Sequence, residues 1–129
     1  MNNVQAIIDK RGGLEALKDN PIHIENPGWM PLNIEYIGTG PRGLPAIAVS
    51  HTYFQEGDVM RDPEIVFEIS ELGWGPIEYR QDNLGLYQEL VWNDENGKTM
   101  IKPKAVSDVK SFAKLWNKNI KDQGFVRLA

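Results

Sequence analysis

The side chains with most chemistry to offer lie in one stretch, His51-Thr52-Tyr53-Phe54-Gln55-Glu56-Gly57-Asp58-Val59-Met60-Arg61-Asp62-Pro63-Glu64, where a histidine and several carboxylates surround a turn between two strand-like segments. His51, Asp58, Asp62 and Glu64 are the donors a hard divalent ion such as magnesium or manganese takes, mostly oxygen with some imidazole, and Gln55 adds an amide to this candidate polar site. The chemistry would be metal-assisted hydrolysis of a nucleotide or nucleic acid. Their spacing fits no recognised ligand pattern, and the same residues have plain structural uses. Asp58 and Asp62 can bond turn backbone, Gly57 can take a positive φ, Asp62-Pro63 can start a strand, and His51 shares a face with Ile47 and Val49. No metal and no cofactor is therefore assigned.

Other catalytic patterns are weaker. None of Ser50, Ser70, Ser107 or Ser111 lies in a Gly-x-Ser-x-Gly turn, and the chain has no cysteine, which removes thiolate nucleophiles, disulfides and cysteine-ligated zinc. Gly38-Thr39-Gly40-Pro41-Arg42-Gly43 reproduces the spacing G-x-G-x-x-G. That motif binds a pyrophosphate only where it opens a helix, and here Pro41, Pro45 and the β-like Leu44–Val49 predict a turn between strands. With no catalytic residue assigned, the expectation leans away from an enzyme.

A second candidate is electrostatic. Lys110, Lys114, Lys118 and Lys121 recur at helical spacing, with Asn117 beside them, opposite an apolar stripe of Val109, Phe112, Ala113, Trp116 and Ile120. Such a basic ridge could meet phosphates, extended by Lys98, Lys102 and Lys104 and helped by aromatic stacking. A helix covering a sheet needs a polar outer face in any case. The net charge of -4 is unevenly spread: residues 1–97 carry 6 basic and 16 acidic side chains, and residues 98–129 carry 8 basic and 2 acidic. The acidic remainder argues against a general nucleic-acid binder and leaves room for a local patch.

The elements that must position these groups follow from periodicity. Val4, Ile7, Ile8, Leu14 and Leu17 predict a helix interrupted at Gly12-Gly13 and stopped before Pro21. From Ile22 to Lys102, short alternating segments punctuated by Gly, Pro, Asn and Asp predict antiparallel strands. Ile65, Phe67 and Ile69 alternating with Glu64, Val66 and Glu68 are the clearest of them. Four more faces come from Ile34 and Tyr36, Ile47 and Val49, Ile77 and Tyr79, and Leu86, Leu90 and Trp92, while His23, between Ile22 and Ile24, should point outward. Asn96-Gly97 predicts a hairpin joining Tyr87–Trp92 to Thr99–Lys102. A closing helix is expected with Ser107 as N-cap and Gly124 as its stop. The expectation is one α+β domain over residues 1–129, an antiparallel sheet of five to six strands with N- and C-terminal helices packed on it. With 41% hydrophobic and 25% charged residues and no long apolar run or secretion signal, the expected location is cytoplasmic, with no membrane.

Ser50–Ile69, then Pro76–Glu89, and in the closing helix Phe112, Trp116, Asn117, Asn119, Ile120 and Gln123-Gly124-Phe125, resemble a small domain family of unassigned function common in bacterial plasmids, phages and conjugative elements. The likeness covers roughly residues 44–125. It implies a mobile-element setting and supplies no reaction, cofactor or partner. The residues and the resemblance together give the expectation of a non-enzymatic binding or accessory domain whose partner is an unidentified protein. The alternatives are a nucleic-acid accessory role for the Lys110–Lys121 ridge and a metal-dependent hydrolase or nuclease at His51, Asp58, Asp62 and Glu64.

Overall fold

The computed structural model describes all residues, 1–129. Six strands form one antiparallel sheet in chain order: β1 (Ile22–Ile24), β2 (Leu32–Thr39), β3 (Pro45–Gln55), β4 (Asp58–Ser70), β5 (Gly73–Gln81) and β6 (Leu86–Glu89). A two-stranded ribbon, β7 (Val91–Asn93) with β8 (Thr99–Ile101), follows. Helices α1 (Asn2–Lys10) and α2 (Gly13–Asp19) precede the sheet, and α3 (Pro103–Asp122) and α4 (Phe125–Leu128) close the chain. The α+β expectation is met, with the first helix broken at the glycine pair.

Pleating sorts the sheet into two faces. On one face the register aligns Ile22, Ile34, Val49, Ile65 and Tyr79 in a single row across β1 to β5. The apolar sides of α1 (Val4, Ile7, Ile8) and α3 (Val109, Ala113, Trp116, Ile120) are buried with the four aliphatic members of this row in one cluster of 24 hydrophobic residues, against which Tyr79 packs partly buried. Phe112 stays partly exposed and meets Tyr79 edge-on at 6.0 Å. Asn117 ties the two helices together: its Oδ1 accepts from the Asn3 backbone N–H at 2.9 Å and its carbonyl from Asn3 Nδ2 at 2.8 Å. The first of these satisfies a helix-start amide that has no partner within its own helix.

Two prolines stand inside long strands because each sits at a bulge, where no ladder bond is needed. Asp62-Pro63 lies opposite His51 where the β3–β4 register shifts between Ser50 and Thr52, and Pro76 adjoins the β4–β5 shift. Asp62-Pro63 is therefore within β4, not at its start. Three further expectations are corrected. The closing helix starts at Pro103, a residue pre-set for the first helical position, so Ser107 is inside it. Tyr87 to Glu89 pair with β5, leaving only Val91–Asn93 for the ribbon. Ile77 falls in the β5 bulge and has no register partner on β4, unlike Tyr79.

Candidate functional site

The five residues of the expected polar site do not converge on one point. His51 points to the helix-covered face, 6% exposed, with Trp116 and Phe125 each 5.5 Å away between ring centres. Gln55 and Asp58 face each other at the exposed tip of the β3–β4 hairpin, whose two-residue turn, Glu56-Gly57, has both φ angles positive (53° and 87°). Asp62 lies near His51 and Tyr79: the Tyr79 pKa is raised by burial first and by Asp62 second, and Asp62 partly opposes the lowering of the His51 pKa by burial. Glu64 faces the opposite side of the sheet, in the row of Ser50 and Arg80. No three His, Asp or Glu side chains of the chain form a metal-binding group. The hydrolase reading required convergence of His51, Asp58, Asp62 and Glu64; Asp62 lies by His51, but Asp58 is at the hairpin tip and Glu64 is on the other face.

His51 instead holds backbone. Its Nδ1 lies 3.0 Å from the Met30 carbonyl oxygen and 3.2 Å from that of Pro31. Carbonyls only accept, so Nδ1 carries the proton and donates. Burial pushes its pKa below 6.5, the two carbonyls and Asp62 opposing in part, so the ring is neutral near pH 7. The imidazole thus fixes the segment Glu25–Pro31 between β1 and β2, which carries Trp29.

The uncovered face has its own row. Register places His23, Asn33, Ser50, Glu64, Arg80 and Tyr87 side by side, one from each of the six strands. At one end Asn33 Nδ2 donates to Thr52 Oγ1 at 2.9 Å, turning Oδ1 toward His23 Nδ1 at 2.6 Å, while His23 Nε2 meets Glu25 at 3.2 Å. With acceptors at both ring nitrogens, led by Asn33, the His23 pKa is raised. At the other end the Arg80 guanidinium lies 4.6 Å from the Tyr87 ring centre, and the Tyr87 hydroxyl donates to Glu78, a bond that lifts its pKa to about 12. Glu64 is pushed up by burial, with Arg61 and Arg80 pulling against it. Arg61 also donates through its backbone N–H and Nε, both at 2.9 Å, to Asp82 Oδ2. Burial works against ionisation of Asp82, but these bonds and the guanidinium charge outweigh it and hold the carboxyl low. In the middle of the row stands Ser50, 8% exposed, whose hydroxyl makes no hydrogen bond within the chain.

Four members of this row, His23, Asn33, Ser50 and Glu64, floor a groove of about 1170 Å³ running from β1 to the projecting β3–β4 hairpin. Its rim is apolar and exposed: Trp29 (53%), Ile37, Phe54 (78%) and Val59. Phe54 and Val59 are register partners, on the face of Thr52 and Arg61. Beyond the groove the same face is sealed. The turn Gly40–Gly43 folds over Glu68, whose carboxylate, 2% exposed, accepts the Arg42 backbone N–H at 2.9 Å and lies 3.3 Å from its guanidinium. A Cβ on Gly40 would come within 2.3 Å of Glu68 Cγ. The glycine spacing therefore serves a hairpin packed on a carboxylate, as the turn reading expected.

The lysine ridge is present: Lys110, Lys114, Lys118 and Lys121 are all exposed on α3, and only Lys118 is ion-paired, to Asp122 at 3.2 Å. Sequence reasoning missed Asn33, Ser50, Arg80 and Tyr87 as one group, because cross-strand register has no signal within a single strand. The signal that was available is His23 and Glu64 both facing away from apolar neighbours.

No helix is long and apolar enough to cross a membrane. Neither the curated proteins nor the solved structures offer a match to this chain. The elements that build both the polar row and the covered face lie within residues 2–126, which match a family model over nearly the whole chain, and the chain belongs to the family described as Domain of unknown function (DUF6908).

Proposed function

We propose that this is a non-enzymatic binding domain that takes a basic, extended protein segment into the groove on the uncovered face of the sheet. The observation that carries the reading is the exposed apolar rim of Trp29, Ile37, Phe54 and Val59 around a polar floor with an unpaired hydroxyl at Ser50. Large exposed aromatic side chains beside a concave polar surface are how binding anchors are built. Charge selects the partner. Glu25, Glu35 and Glu64 line the groove against Arg61, which Asp82 and Glu64 already engage, and His23. A Lys or Arg side chain laid over the floor would meet carboxylate and hydroxyl acceptors, with Phe54 and Trp29 covering its aliphatic stem.

The proposal treats residues 1–129 as one domain working in the cytoplasm, in the mobile-element setting that the resemblance implies. It is tested by selecting displayed random peptides on the immobilised protein and on a Phe54→Ser/Val59→Ser variant. Lys- and Arg-containing peptides with apolar flanks, enriched on the wild type and absent from the variant, support it. Equal enrichment on both, or none on either, overturns it.

A further inference from the structure

Across the Glu25–Pro31 segment from the groove lies a second depression, about 490 Å³, where the ends of α1, α3 and α4 meet. Lys10, Lys121 and Arg127 line it, each from the last turn of its helix. Position there answers the negative ends of three helix dipoles, and that interaction leaves the charged heads free for other partners. Lys10 Nζ donates one bond, to the Val126 carbonyl at 3.0 Å; Lys121 and Arg127 make no ion pair. The one carboxylate in the lining, Asp122, is taken by Lys118. The site is therefore cationic and unneutralised.

Its wall is Trp29, which lines this depression as well as the groove and is half exposed. Its place is fixed relative to the cations: Asn26 Nδ2 donates to the Gln123 carbonyl at 2.7 Å, the Trp29 N–H to the Asn26 carbonyl at 3.0 Å, and His51 holds Met30 and Pro31. From Lys121 the exposed Lys118, Lys114 and Lys110 continue along α3, about 16 Å at 1.5 Å per residue.

From this arrangement we infer that the depression and the lysine file form a path for single-stranded nucleic acid, with phosphates at Lys10, Lys121 and Arg127 and a base stacked on Trp29. Cations that track a backbone beside an exposed indole are the elements of sequence-tolerant single-strand binding. Only an unpaired base offers its face to the indole, which favours a single strand over a duplex. The acidic side chains lie mostly elsewhere, and their repulsion confines the strand to this edge. This surface shares only Trp29 with the peptide groove, and Phe54→Ser/Val59→Ser tells the two readings apart.

The test is fluorescence anisotropy of a labelled fifteen-nucleotide oligo-dT and a labelled hairpin duplex at 50 and 200 mM salt. Proteins compared are the wild type, Trp29→Ala, Lys121→Glu/Arg127→Glu, and Phe54→Ser/Val59→Ser as a control, with thermal melts to verify folding. The expected result is preferential binding of oligo-dT that weakens about fifty-fold across this salt range for some four phosphates neutralised. Trp29→Ala should lower affinity about tenfold. The charge reversals should abolish binding. Absence of binding at 50 mM salt overturns the inference. So does affinity indifferent to Trp29→Ala, or displacement by poly-glutamate as effective as by unlabelled oligo-dT, since either would make the surface a general anion patch. Phe54→Ser/Val59→Ser, which removes the groove rim, should bind oligo-dT like the wild type.

Discussion

Two neighbouring rows of the sheet, one residue apart along each strand, behave as different materials. Ile22, Ile34, Val49, Ile65 and Tyr79 are packed against helices, whereas His23, Asn33, Ser50, Glu64, Arg80 and Tyr87 form a polar row on the uncovered face, with His23 bonded to Asn33 and Arg80 stacked on Tyr87. The backbone register that builds one row necessarily builds the other. The covered row is closed by apolar groups, which need no particular partner. The open row has polar partners at both ends, and Ser50 between them makes no hydrogen bond within the chain. A core and a recognition surface are thus two readings of one ladder.

Substitutions can break or sharpen that contrast. Ile65→Ala, in the covered row, should cost about 2–5 kcal/mol by urea denaturation, the usual range for truncating a buried isoleucine. Its neighbour Glu64→Gln should stay within about 1 kcal/mol, because burial already raises its pKa. Equal costs would mean that the open row is also core. Glu68→Ala comes next, at about 1–3 kcal/mol, since the Arg42 N–H loses its acceptor under the turn. Measured alongside Glu64→Gln, it separates the sealed part of the uncovered face from the groove.

The two histidines carry the contrast into pH. His51 is depressed in the folded state, so below pH 6.5 the unfolded chain takes up a proton that the folded chain resists. Stability should fall as pH drops from 6.5 toward the folded pKa, and thermal melts of His51→Asn should lack that decline. His23 is raised, so its contribution is present below pH 6.5 and lost as pH rises through its folded value. Because His23 is exposed, that opposite trend should be the weaker of the two. The smallest effect belongs to Phe54→Ser/Val59→Ser, expected within about 0.5 kcal/mol of the wild type although it removes the groove rim. A large loss of stability there would make the rim a structural cluster.

The elements were legible where local rules act alone. The alternation at Glu64–Ile69, the stripe on the closing helix, the break at Gly12-Gly13 and the turn at Gly38–Gly43 each follow from spacing or a single residue type. So does the outward His23. The polar row was not legible, because the bulges beside Pro63 and Pro76 set how the strands line up, and a bulge is a pairing event between two distant segments. The face of His51 was legible from its spacing to Ile47 and Val49, whereas its ring partners Trp116 and Phe125 come from distant segments. Asn117 was grouped with the lysines by helical spacing, whereas its partner, Asn3, lies 114 residues away.

The strands pair only with their neighbours along the chain, so the sheet is built from short-range closures, which form early. The lid is different. The contact of α1 with α3 must span more than a hundred residues, and α3 follows every strand of the sheet in the chain. A nascent chain would therefore complete its ladder with the isoleucine row bare until Pro103–Asp122 emerges. Chains ending before α3 should be prone to aggregate through that uncovered face.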